Sequence, residues 1–162
     1  MMKCIVPTME YDAAIQAFRE EFAKDGGSMD GSTHLRHFEK TQDWLDQLEP
    51  DTSQFIYVRE EDGKMVGTLQ IRHRFNDFLA KYGGHIGYCV CPSERKKGYA
   101  TEMLSLALAE CGRLGIRDVL ITCLSDNEAS RRTILKNGGI YESTVFEPES
   151  KCSIERYWVH LA

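Results

Sequence analysis

The sequence predicts an α/β fold of the α+β kind: one mixed, mostly antiparallel sheet flanked by helices, with the strands before and after a long helix running parallel. Three observations predict it. The stretch HIGYCVCPSERKKGYATEMLSLALAECGRLGIRDVLITCLSDNEAS, from His85 to Ser130, reads as strand, basic glycine turn, helix, strand, and a polar turn into a second helix. Ahead of it, Asp62 and Gly63 between two apolar runs signal a tight hairpin. After it, Tyr141 to Phe146 and Ile154 to His160 read as antiparallel strands around a turn at Pro148 to Lys151. With 162 residues, 42% of them hydrophobic, the chain is long enough to bury a sizeable core as one domain over 1–162.

The elements follow in order. Cys4 to Pro7 is a short first strand. Tyr11, Ala14, Ile15, Phe18 and Phe22 recur at helical spacing, and Gly26 and Gly27 stop that helix. A Gly, Ser and Asp loop leads to Ser32, and a second helix follows with Leu35, Phe38, Trp44, Leu45 and Leu48 inward and Pro50 as its stop. Phe55 to Arg59 and Met65 to Arg72 are the arms of the hairpin. The connection RHRFNDFLAKY is long and aromatic, which in a compact domain often marks function, and His73 within it is a candidate for an acceptor pocket or a merely solvated strand end. His85 to Cys91 reads as a strand covered on both faces, stopped by Pro92. Ala100, Met103, Leu104, Ala107, Leu108, Cys111 and Leu114 form the apolar stripe of a long helix that ends at Gly115. Asp118 to Leu124 is a buried strand, and the short helix from Asn127 to Asn137 ends at Gly138 and Gly139.

The basic turn carries the chemistry. A helix start leaves its first N–H groups unpaired and bears roughly half a positive charge, so it attracts an anion. Arg95, Lys96 and Lys97 stand directly upstream of such a start, and Gly98 permits close backbone approach. Lys96 to Thr101 therefore reads either as a cradle for a phosphate or pyrophosphate or as a basic cap on an ordinary helix. Neither GxxxxGK[ST] nor GxGxxG is present, which sets aside the two better-known phosphate loops.

Val90, Pro92, Arg95, Gly98 and Ala100 resemble the V-x-P-x-x-[QR]-x-x-G-x-[GA] signature of the GNAT superfamily of N-acetyltransferases. Asn127 and Ser130 fall where that superfamily has N-x-x-[AS] after its fifth strand. The resemblance is specific over residues 83 to 139 and looser elsewhere. It implies a sheet whose fourth and fifth strands splay, with acetyl coenzyme A as cosubstrate in the gap. The backbone of Tyr88, Cys89 and Val90 would pair with the pantetheine arm. Arg95, Lys96, Lys97, Gly98, Tyr99, Ala100 and Thr101 would hold the pyrophosphate. Asn127 would bond the pantetheine or the carbonyl near the thioester, unless it is simply a helix cap, and Ser130 would line the same channel.

The resemblance also implies direct acyl transfer to an amine of a small molecule or a peptide, with backbone N–H near Cys89 and Val90 facing the developing oxyanion. Departures put the acid and base in doubt. The tyrosine that often protonates the leaving thiolate falls on Ile134, the glutamates that serve as base fall on Gly84 or Thr122, and Gly139 replaces a usual aromatic. Tyr88 and His85 are the candidate substitutes on the central strand, with His73 and Tyr141 behind them; Tyr88 and His85 lie on opposite faces of an unbulged strand. Cys89 or Cys91 as a covalent nucleophile is a competing idea, and a noncatalytic acyl coenzyme A binding domain is the alternative function.

Composition excludes other classes. No apolar run reaches a membrane span, and MMKCIVPTMEYD lacks a signal-peptide core. A net charge of −5 without a long basic run speaks against nucleic acid. Six cysteines without CxxC spacing read as buried thiols rather than disulfides or a metal site. The expectation is a cytoplasmic protein whose partner is the amine acceptor, with the last two strands offering an edge to a second copy. Glu20, Glu21, Asp25 and Asp30 are candidates for greeting a cationic acceptor or for an ordinary solvated face.

Overall fold

The computed structural model describes all 162 residues. Strand β1 (Met2–Ile5) is followed by helix α1 (Asp12–Asp25), the short helix α2 (Thr41–Asp46) and the hairpin β2 (Thr52–Arg59) and β3 (Met65–Arg72). Then come β4 (Ile86–Val90), α3 (Tyr99–Arg113), β5 (Asp118–Leu124), α4 (Glu128–Lys136), β6 (Ile140–Glu147) and β7 (Cys152–His160). No helix is long and apolar enough to cross a membrane.

The strands form two antiparallel sheets, β1-β2-β3-β4 and β5-β7-β6. The single sheet expected from the sequence is thus divided between β4 and β5. Those strands meet where Gly84, just ahead of β4, bridges to Ile121 in the middle of β5 and the His85 N–H donates to Leu120 O at 2.8 Å. No parallel ladder joins them. The Leu120 N–H is taken by the Nδ1 of His85 at 2.9 Å. Beyond that point the gap is open.

Helix α1 buries Ile15, Phe18 and Phe22, as its spacing predicts, and stops where Gly26 turns left-handed at φ +78°. Burying side chains of this kind contributes about 1.5–3 kcal/mol each, so packing rather than its surface charges fixes α1 to the sheet. The second helix differs from expectation. A 3-10 turn at Leu35–His37 is separated from α2 by extended backbone at Phe38. The break follows from tertiary bonds: the Trp44 indole donates to Ser32 O at 2.8 Å, and Gln16 donates to Glu39 O at 3.0 Å. The first strand also begins earlier than Cys4, since Met2 pairs with Arg59.

The long helix α3 buries Met103, Leu104, Ala107, Leu108 and Cys111 against one face of the first sheet. Leu114, assigned to that stripe from the sequence, is exposed at the helix end. On the other face lie α1, α2 and the residues around Trp44. The faces alternate along β4: Tyr88 and Val90 pack toward α3, Cys89 toward α1. The site is assembled around that alternation.

Candidate active site

A cleft of about 820 Å³ opens in the gap between β4 and β5. Tyr88, Cys89, Val90, Arg95, Lys96, Gly98, Tyr99, Ala100, Thr101, Asn127 and Ser130, all singled out from the sequence, line it. Two of the singled-out residues do not. Lys97 is drawn away by Glu94, with Nζ 2.8 Å from the carboxylate. His85 has its Nδ1 occupied by Leu120 and stacks on Phe75 with ring centroids 4.2 Å apart. Burial and the nearby Arg72 charge hold its pKa down to about 4, so the ring is neutral and serves as a structural acceptor. The structure therefore takes His85 out of the acid–base chemistry. His73 is likewise spoken for, its Nε2 2.7 Å from Ser53 Oγ, and it does not reach the cleft.

The edge of β4 facing the gap is unpaired. Flanking bonds from Arg72 N–H to His85 O at 2.7 Å and from Cys91 N–H to Val66 O at 2.8 Å fix the phase of the ladder. In that phase Gly87 and Cys89 exchange bonds with Gln70 and Thr68, while Tyr88 and Val90 direct their N–H and C=O groups into the gap. Cys89 contributes to the lining, but its amide faces β3, contrary to its expected pairing role.

Farther along the cleft is the start of α3. Gly98 caps it at φ +85° without any side-chain cap, and Lys96 also adopts a left-handed conformation at φ +65°. The amides of Tyr99, Ala100 and Thr101 have no acceptor in the chain, and the space at the Gly98 Cα is open. These are the unmet donors a phosphate group would satisfy. Lys136 and Arg132 of α4 add cations to the same lining.

What holds this turn in place was not evident from the sequence. Glu94 is buried at 5% relative exposure yet bonds Arg59 Nη1 at 2.7 Å and Lys97 at 2.8 Å, and those two cations hold its pKa down to about 2. Arg59 also reaches Asp62 at 2.7 Å, which ties the β2–β3 hairpin to the turn. From the other side Glu21 of α1 accepts the Ser93 N–H at 2.9 Å. The Glu94–Lys97 spacing of three residues was the one available signal.

Opposite the basic turn, Asn127 caps α4 by accepting the Ser130 N–H on Oδ1 at 3.1 Å, as one of its two expected roles requires. The Tyr88 hydroxyl and Ser130 Oγ lie 2.8 Å apart. Burial pushes the Tyr88 phenol up to about 12, so it is protonated at neutral pH. Cys91 is fully buried and pushed up to about 11, and burial likewise raises the Cys89 thiol. Buried, protonated thiols are poor nucleophiles, and the Glu21 carboxylate beside Cys91 pushes its thiol further up, which weighs against the covalent route.

An open strand edge leading to an uncapped, cation-flanked helix start suits an extended ligand that carries phosphates. Residues 5–140 match the acetyltransferase (GNAT) domain family, and the chain belongs to it. GNAT enzymes use acetyl coenzyme A as cosubstrate, and the unmet amides and flanking cations of this cleft fit that molecule's phosphates. No curated protein sequence matches significantly. Among solved structures, the ribosomal L7/L12 α-N-protein acetyltransferase RimL in complex with coenzyme A superposes with a TM-score of 0.75 at 14% identity, covering 99% of this chain and 94% of that one. The ribosomal-protein-S5-alanine acetyltransferase from Vibrio fischeri gives 0.73 at 11% identity, covering 98% and 92%. The microcin C7 self-immunity acetyltransferase MccE with acetyl coenzyme A and AMP gives 0.70 at 16% identity, covering 99% and 92%. At these identities the likeness is one of fold.

Proposed function

We propose that residues 1–162 act as one acetyltransferase domain that transfers an acetyl group directly from acetyl coenzyme A to an amine of a small molecule or peptide. The carrying observation is the continuity of one cleft from the unpaired β4 edge to the uncapped start of α3. Bound there, acetyl coenzyme A supplies an activated thioester carbonyl. Tyr88 and Val90 offer backbone groups to the amide-bearing arm, as an added strand would find them. The Tyr99 to Thr101 amides, with Arg95 and Lys96, bind the phosphates. Asn127 spends Oδ1 on its cap and keeps Nδ2 free to donate along the same channel. The Val90 N–H, directed into the gap, is an available donor to oxyanion charge. Tyr88, neutral and oriented by Ser130, is the residue that can give a proton to the departing thiolate, in place of the tyrosine that Ile134 replaces, and the proton released by the acylated amine, passed through solvent, restores the phenol. Six free thiols suit a reducing compartment, and we place the protein in the cytoplasm.

Calorimetry with acetyl coenzyme A tests this. Wild-type protein should bind, and Lys96→Asn, which tolerates the left-handed backbone, should bind several-fold more weakly at low salt and less so at high salt. Folded wild-type protein that fails to bind would sink the reading.

A further inference from the structure

We propose that the acceptor is an α-amine flanked by a carbonyl or carboxylate oxygen, as in an amino acid or a chain N-terminus, and that Arg72 reads that oxygen. The inference rests on the acetyl-transfer reading and names the acceptor class for the same cleft. Its starting point is that the cleft has two sides. Tyr88, Asn127 and Ser130 lie on the α3–α4 side, which holds the phosphate cradle. Arg72 shares a face with Gln70 and Gly87, on the α1 side, where Ser28, Asp30 and Gly31 form the lip. An acceptor entering opposite the cosubstrate meets this second set.

Arg72 is fixed but not neutralised. Its Nη1 donates to Gly83 O and Gly84 O, both at 3.1 Å, and Nη2 has only the Gln70 amide oxygen at 3.4 Å. No carboxylate lies within ion-pair distance of it. That Nη2 sits where a side chain at Gly87 would begin, 3.2 Å from the Cβ position, and Gly31 packs directly on the Gly87–Tyr88 peptide. The two glycines thus leave a guanidinium edge facing the cleft beside the strand that holds the thioester arm. Asp30 is the carboxylate whose charge reaches Arg72, without touching it, so the half-buried guanidinium keeps an edge for an incoming oxygen, and its fork suits a carbonyl or carboxylate.

The carboxylates point the same way. Glu21 is engaged by Ser93 and Lys64, Asp25 accepts from Gly27 and faces Arg95, and Glu94 is held by Arg59 and Lys97. Asp30, which accepts from Ser28 Oγ at 3.3 Å and has no cation in contact, is the carboxylate of the acceptor lip. One carboxylate and one guanidinium complement an ammonium with a neighbouring oxygen. A polyamine would call for several carboxylates.

The test is a matched acceptor panel followed by coenzyme A thiol release: alaninamide, free alanine, isopropylamine and spermidine. Alaninamide or alanine should exceed isopropylamine in kcat/KM by at least about tenfold. Arg72→Gln should lower kcat/KM for alanine or alaninamide at least about tenfold more than for isopropylamine, which has no oxygen to lose. If Arg72→Gln lowers the melting temperature severely, Arg72→Lys, which keeps the charge and loses the fork, should narrow the preference in the same direction by a smaller factor. Preference for alanine identifies a carboxylate, and preference for alaninamide a chain carbonyl. Spermidine as the best acceptor, equal turnover of all amines, equal loss for all acceptors in the variant, or binding of acetyl coenzyme A with no α-amine acetylated would each overturn the acceptor assignment. Failure of the wild type to bind acetyl coenzyme A would overturn the acetyl-transfer reading beneath it.

Discussion

Tyr88→Phe separates chemistry from scaffolding in a single atom. The ring stays packed toward α3, and only the hydroxyl 2.8 Å from Ser130 Oγ is lost. As a structural bond, that loss costs about 0.5–1.5 kcal/mol, which for a chain of this size lowers Tm by roughly 1–6 °C. As the proton donor to the leaving thiol, it is worth about 10²–10⁴ in kcat, equivalent to about 2.7–5.5 kcal/mol of barrier. The catalytic effect therefore outweighs the structural one by severalfold, and the two are measured separately. Thiol release under saturating amine should show kcat reduced at least about a hundredfold, with KM for acetyl coenzyme A little changed. Because burial pushes the phenol up to about 12, its proton is retained through the alkaline range, and wild-type kcat should show no fall from Tyr88 ionisation up to about pH 10. A kcat within about threefold of wild type would refute the assignment and return Tyr88 to a packing role.

Two further perturbations probe the supports. Glu94→Gln should lower stability at pH 7 by about 1–2 kcal/mol, less than for a fully buried pair, because Arg59 keeps Asp62 and Lys97 is half exposed. Since the folded-state pKa is depressed to about 2, the stabilisation is complete above the ordinary carboxylate range and is lost as pH falls through it; the difference from wild type should shrink between about pH 5 and pH 2 in denaturant titrations, and a constant difference would mean packing, not charge. Gly31→Ala should destabilise by roughly 2–4 kcal/mol, because its Cβ would lie 2.2 Å from Gly87 O at φ +73°, whereas Gly98→Ala at φ +85° in open space should cost only about 1–2 kcal/mol of backbone strain. Equal melting temperatures for the two glycine variants would contradict the close approach at the lip.

The sequence made the cosubstrate half legible because that half is local. Strand, basic turn and helix follow one another from His85 to Arg113, which makes the cradle at Gly98 readable from spacing, whereas Asn127 and Ser130 joined it only through the resemblance to the GNAT motif. Lys97 was misplaced because side-chain direction depends on a competitor, and Glu94 wins it. The acceptor half is built from contacts without period. Gln54 reaches Gly31 O at 2.9 Å and Thr68 Oγ1 at 2.7 Å, strapping the loop at Gly31 to both arms of the β2–β3 hairpin. Arg72, read only as a strand end, gains meaning when Gly83 and Gly84 fold back beneath it. The interrupted second helix has the same origin, since apolar spacing shows which residues go inward but not that Trp44 will take the carbonyl of Ser32.

The histidine at the apex of the gap has a consequence for binding. The His85 ring occupies the Leu120 N–H where the strands meet, and beyond that point the cleft already stands open. The receptor shape is then already present in the resting fold, and no strand pair has to be parted when a guest arrives. Preorganisation of this kind places the cost of separation on folding rather than on association, so affinity reflects contacts made with little offset from rearrangement.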